Sequence, residues 1–141
     1  MSAIPRGVRN NNPGNIDYSP SNKWNGQLGL EEGVTKPRFA RFDTPENGIR
    51  ALGKLLQTYQ RVYGLDTVAK IISRWAPSNE NDTAAYVRSV ERRIGTKPGT
   101  KIRLTDPDVL KGFVVAIIAH ENGGNPYSDA VVTEGVRRAL S

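Results

Sequence analysis

The amino-acid sequence predicts an α+β, mainly α fold: a helical bundle around a buried central helix, with a small N-terminal β-hairpin lobe. Three observations carry this expectation. Residues 1–43 are rich in Asn, Gly and Pro and hold two short alternating segments; residues 44–141 show capped helical spacings; and Phe113 to Ala119 is an unbroken apolar run. The 141 residues are expected to form one domain, a β-rich lobe over 1–43 and a helical lobe over 44–141.

In chain order, GNIDY (14–18) and PRFARFD (37–43) alternate like strands, with KWNGQLGLEEG (23–33) between them as a turn-rich connector. The first helix opens on Thr44 as N-cap with Pro45 at its first position and closes on Gly64. Ile49, Leu52, Leu56, Tyr59 and Tyr63 make its apolar face, and Gly48 and Gly53 suggest close packing. A second helix runs from Asp66 to about Trp75, stopping before Pro77. A third starts around Asn81–Asp82 and ends at Gly95. Thr105 is expected to cap a fourth, running to about His120, and Ser128 and Asp129 start a last one. The total is five helices and one strand pair, without internal repeats.

Twenty Lys+Arg against 14 Asp+Glu give a net charge of +6 and favour anionic partners: nucleic acid, anionic lipid or a cell-wall polymer. The basic residues are scattered, so no dedicated nucleic-acid surface is expected. No apolar run approaches the roughly 20 residues of a membrane span, and the N-terminus lacks a signal-peptide core. With no cysteine and one histidine, neither a cofactor nor a metal is expected.

The chemistry concentrates at AIIAHENGGNPYS (116–128). Val109, Leu110 and 113–119 leave the fourth helix no polar face beyond its first turns, which places it centrally, and Glu121 stands where it emerges. Partial desolvation and the negative end of the helix dipole both favour a protonated carboxyl, the form a general acid needs. A helix-end glutamate is also commonly just solvated, and His120 reads as a structural or exposed histidine.

The segment AIIAHENGGNPYS resembles the surroundings of the catalytic glutamate in lysozyme-like peptidoglycan hydrolases, particularly goose-type lysozymes and soluble lytic transglycosylases. Asn122 stands where those families carry a serine. RNNNPGNIDY, KWNGQ and RFARFDTPENGIRALGKLLQTYQ, in that order, resemble a segment of phage lysins and bacterial glucosaminidases, as does WAPSNENDTAAYVRSVERRIG. The order departs from the family pattern, because the glutamate helix follows rather than precedes the Gly-Asn-Ile segment. A circular permutation is inferred, requiring Glu121 to close onto Asn15 in space.

The resemblance implies Glu121 as catalytic acid and a cleft between the lobes. Asn11, Asn12 and Asn15 would line that cleft, unless Asn-Asn-Pro-Gly is only turn chemistry. Tyr86 would approach the scissile sugar or simply pack in the core. Trp24 and Trp75 would stack on sugars or anchor the lobes, and Asn122 and Tyr127 complete the expected substrate-binding set. Asp17 is the candidate second acid, with a solvated strand residue as the alternative. Asp43 reads as a helix-start acid, and Glu91 as an exposed helix charge and reserve catalyst.

The expected activity is cleavage of the β-1,4 bond between N-acetylmuramic acid and N-acetylglucosamine by a single glutamate, as muramidase or lytic transglycosylase, in a phage lysin. Peptidoglycan is the expected partner, and the chain is expected to be a monomer or virion-associated. It would be made in the host cytoplasm without a signal peptide, then released at lysis or carried in the virion. The alternatives are an inactive phage virion structural or adaptor protein of the same fold, and a basic nucleic-acid-binding module.

Overall fold

The structure, a computed structural model, describes residues 4–76 and 80–141. It is mainly helical with one small antiparallel sheet. The described elements are α1 (Arg6–Arg9), β1 (Gln27–Leu30), β2 (Ala40–Phe42), α2 (Pro45–Tyr63), α3 (Val68–Trp75), α4 (Glu80–Ile94), α5 (Pro107–Asn122) and α6 (Asp129–Ala139).

Helix α5 is the central rod. Leu110, Phe113, Val114, Ala116, Ile117 and Ile118 are buried, and the helix packs on α4 and α6, with further contacts to α2 and α1. It runs through Glu121 to Asn122 and stops at Gly123, whose left-handed φ of 71° closes the last turn. Glu121 therefore belongs to the helix rather than following it. Asp106, not Thr105, is the N-cap: its side chain accepts from the amides of Asp108 and Val109.

Helix α2 has the expected signals, with Thr44 accepting from the Asn47 amide, Pro45 in the first turn and Gly64 at φ 65°. Its glycines admit neighbouring backbone and side chains. A Cβ on Gly48 would collide with the Asn11 carbonyl, and one on Gly53 would lie 2.6 Å from Ala139 Cβ on α6. Thr67 caps α3 and Ser128 caps α6. The expected stop before Pro77 falls at the edge of the described residues.

The N-terminal lobe departs from expectation twice. Residues 6–9 form a short helix, so there are six described helices rather than five. The strand paired with β2 is Gln27–Leu30, inside the expected connector, with Gly29 opposite Arg41. GNIDY runs along the other edge of β2 but contributes only an isolated bridge, Asp17 to Phe39. The lobe is tied together by polar groups. Buried Glu31 accepts from the Arg6 guanidinium, from Asn10 Nδ2 at 3.0 Å, and from the amides of Arg38 and Phe39 at 2.9 and 3.1 Å. These contacts, Arg6 foremost, hold its carboxyl well below the usual carboxylate range despite the burial that opposes it.

No helix among the described residues is long and apolar enough to cross a membrane.

Candidate active-site cleft

The last turn of α5 brings Glu121 to the floor of a cleft of about 680 Å3 between the two lobes. Leu55 and Tyr59 of α2, with Trp75 and Ala76 at the end of α3, form one wall. Gly14 to Asp17, Arg38 and Phe39 are among the residues of the other. One side is thus largely apolar and aromatic, and the other carries amide and charged groups. That division suits a ligand with a flat apolar face and many hydroxyl or amide edges.

Glu121 is held from both sides. Asn15 Nδ2 donates to its Oε1 at 3.2 Å, and the Tyr86 hydroxyl approaches its Oε2 at 3.5 Å. Asn15 sits at φ 51°, a left-handed conformation that asparagine tolerates better than most residues. The backbone turn that aims its amide is therefore written in its residue type. Its Oδ1 is buried without a partner among the described residues. Burial, then the neighbouring Glu121 carboxylate, pushes the Tyr86 phenol far above its ordinary range, so it remains a proton-bearing donor. The exposed His120 ring stacks on Tyr86 at 3.8 Å.

Asn122 secures this geometry. Its Nδ2 donates to the Pro13 and Ile118 carbonyls, both at 2.9 Å, tying the helix end to the loop that carries Asn15. The proximity of Glu121 and Asn15 that a permuted chain order requires is present.

Several expected ligand contacts lie elsewhere. Asn12 is fully buried, donating to the Ile16 and Ala40 carbonyls and accepting from the Ile16 amide, so its amide is spent on the loop. Asn11 turns away and donates to the Phe42 carbonyl. Trp24 packs against the core as a lobe anchor; Trp75 is the tryptophan in the cleft. Asn122 binds backbone, and Tyr127 is packed inward, its phenol pushed up to about 12 by burial. Tyr86, 2% exposed, supports Glu121 instead of lining the cleft.

Asp17 does reach the cleft rim, but its side chain is 61% exposed and ion-paired to Arg38 at 2.6 Å. Asp43 accepts from Asn47 Nδ2 at the start of α2, as a helix-start acid should. Glu91 is buried rather than exposed and faces a different groove.

Over 137 residues the chain is 38% identical to Protein P5 of Pseudoalteromonas phage PM2, a match that spans 96% of this chain and 82% of that protein. This chain belongs to the Protein P5 family. No family model matches it.

In this member of the Protein P5 family, sequence reasoning missed Leu55, Tyr59, Arg38 and Phe39 as cleft residues. The helical spacing places Tyr59 on the apolar face of α2, where its ring also meets Trp75 at 6.4 Å. The available signal was the change along the stripe from aliphatic residues to Tyr59 and Tyr63, whose hydroxyls suit a partly open position. Among the described residues there is no cluster of three potential metal ligands.

Proposed function

We propose that the cleft binds and cleaves peptidoglycan, with Glu121 as the general acid of a lysozyme-like site. The observation that carries the reading is the carboxylate of Glu121 on the cleft floor, oriented by Asn15 at 3.2 Å beneath an aromatic wall. A sugar ring stacked on Trp75 and Tyr59 would present its glycosidic oxygen to that carboxyl. Proton transfer from Glu121 to this oxygen breaks the bond and leaves an oxocarbenium-like centre. Asn15 and Tyr86 fix the carboxyl's position while the leaving group departs.

Capture of that centre by water gives hydrolysis; capture by the muramoyl unit's own primary hydroxyl gives an anhydro sugar. Asp17 is committed to Arg38 at the rim, which favours a single-glutamate site over a two-carboxylate one. The net charge of +6 would assist docking on an anionic wall, an attraction that salt screens. Purified protein is expected to clear cell walls and Glu121→Gln to lose that activity while keeping its circular dichroism and Tm. Mass spectrometry of the released fragments separates the two captures by one water. Equal inertness of both proteins would overturn the reading.

A second reading is favoured by the phage relative: a virion structural or adaptor protein that retains the fold and the cleft without activity. It predicts the chain in purified virions and no release of fragments by the wild type.

A further inference from the structure

A second concavity, of about 560 Å3, lies between α3, α4 and the turn at Pro98–Gly99. Thr83, Val87 and Glu91 fall at helical spacing on one face of α4 and look into it, while Tyr86 and Val90 face the core. The groove is mostly apolar, with Ala69, Ala84, Val87 and Pro98 in its walls. Glu91 is the exception. It is only 6% exposed, and among the described residues no hydrogen bond or ion pair reaches its carboxylate. Arg88, one turn earlier and exposed, also lines the groove without pairing with it.

A carboxylate this enclosed is ordinarily paired or hydrogen-bonded, whereas Glu91 keeps only the contact with water that the groove itself allows. The groove's volume falls in the range of small-ligand sites. An ammonium group would replace the groove water on Glu91 with charged donors; an anionic or purely apolar ligand would displace that water and leave the carboxylate bare. The apolar walls suit a short alkyl stem. A bare cation would meet Arg88 and a chain of net charge +6, whereas a ligand that also carries a carboxylate would offer Arg88 a partner.

We propose that this groove binds a small ω-amino acid, its ammonium on Glu91, its alkyl stem along Val87 and Pro98, and its carboxylate on Arg88. The site is separate from the Glu121 cleft and does not depend on any activity there.

Titration of the full chain with aminocaproate, followed by calorimetry and amide chemical shifts, tests this. Saturable binding is expected at millimolar concentration, with shifts confined to α3, α4 and the turn at Pro98–Gly99. Caproate, which lacks the ammonium, should not bind, and hexylamine, which lacks the carboxylate, should bind more weakly. Glu91→Gln should weaken aminocaproate about tenfold or more, and Arg88→Ala should erase the preference over hexylamine. Glu91→Gln removes an unpaired, largely enclosed charge at constant shape, so its Tm should equal or exceed that of the wild type, and lost binding is not lost folding. Absence of saturable binding by the wild type, binding that survives in Glu91→Gln, or equal binding of caproate would each overturn the proposal. Glu121→Gln should bind aminocaproate as the wild type does.

Discussion

Asn15 and Glu121, 106 positions apart in the chain, meet through a 3.2 Å hydrogen bond from the amide Nδ2 to the carboxylate Oε1. The contact joins the loop of the N-terminal lobe to the last turn of the central helix, across the floor of the cleft. Replacing Asn15 by Gly removes the amide and keeps the left-handed backbone at no steric cost. Asn15→Gly should therefore fold with a Tm close to that of the wild type and lose cell-wall clearing by roughly tenfold or more, read as kcat rather than KM. Asn15→Ala should lose the same activity and also some stability, because alanine is strained at φ 51°.

Asn122 holds that geometry without touching the cleft. Asn122→Ala breaks the bond to the Pro13 carbonyl and should cost about 1–2 kcal/mol in denaturant unfolding. Clearing activity should fall with it, while binding of a neutral chitin oligomer persists. Unchanged unfolding would show that the loop is held by other contacts.

Trp75 and Trp24 should separate binding from stability. Trp75→Ala should weaken glycan binding by roughly tenfold, since its ring lines the cleft beside Tyr59. Trp24→Ala should leave glycan affinity unchanged in the folded fraction and lower Tm, because Trp24 packs against the core.

Gly48→Ala should invert the usual helix rule. In an exposed helix, alanine gains about 1 kcal/mol over glycine. Here its methyl would collide with the Asn11 carbonyl, and the loop or α2 must shift. A loss of about 2 kcal/mol or more in urea unfolding is expected, with clearing activity reduced because the same loop continues to Asn15.

Acid should loosen the N-terminal lobe through Glu31. Its native carboxyl titrates well below the unfolded value near 4.5, so the folded state binds fewer protons than the unfolded one. Its contribution is complete above that unfolded value and is lost as pH falls toward the native one. Glu31→Gln should lower Tm at neutral pH by about 10 °C, by leaving Arg6 and two backbone amides short of a charged acceptor. The gap between the variant and the wild type should narrow steadily as pH is lowered through the carboxylate range.

Helices α2 to α6 could be read from the chain because their signals are local. Thr44, Pro45 and Gly64 bound α2, Ser128 opens α6, and the apolar run of α5 has no polar face to show solvent. Each depends on residues within a few positions of one another, through caps and i, i+4 packing. Glu121 stands out the same way, as the charge that ends a buried rod, while its expected role as an acid comes from the resemblance to lysozyme-like hydrolases. Strand β1 was not legible: four residues interrupted by Gly29 have too little alternation, and their pairing with β2 is non-local. The same holds for the polar contacts. Nothing near Glu31 in the chain announces Arg6, and nothing near Asn12 says that its amide is spent on the Ala40 carbonyl. Glu91 reads as a solvated charge because arginines flank it, yet helical periodicity turns it toward α3 and into the groove, where only 6% of it stays exposed. Residue type and short spacings thus settled helices α2 to α6 and marked Glu121 as the charge at the end of the buried rod. Which amide would orient that carboxylate, which tryptophan would line its cleft, and which glutamate would be buried without a partner were settled by contacts between distant segments, whose energies exist only once the lobes have closed on each other.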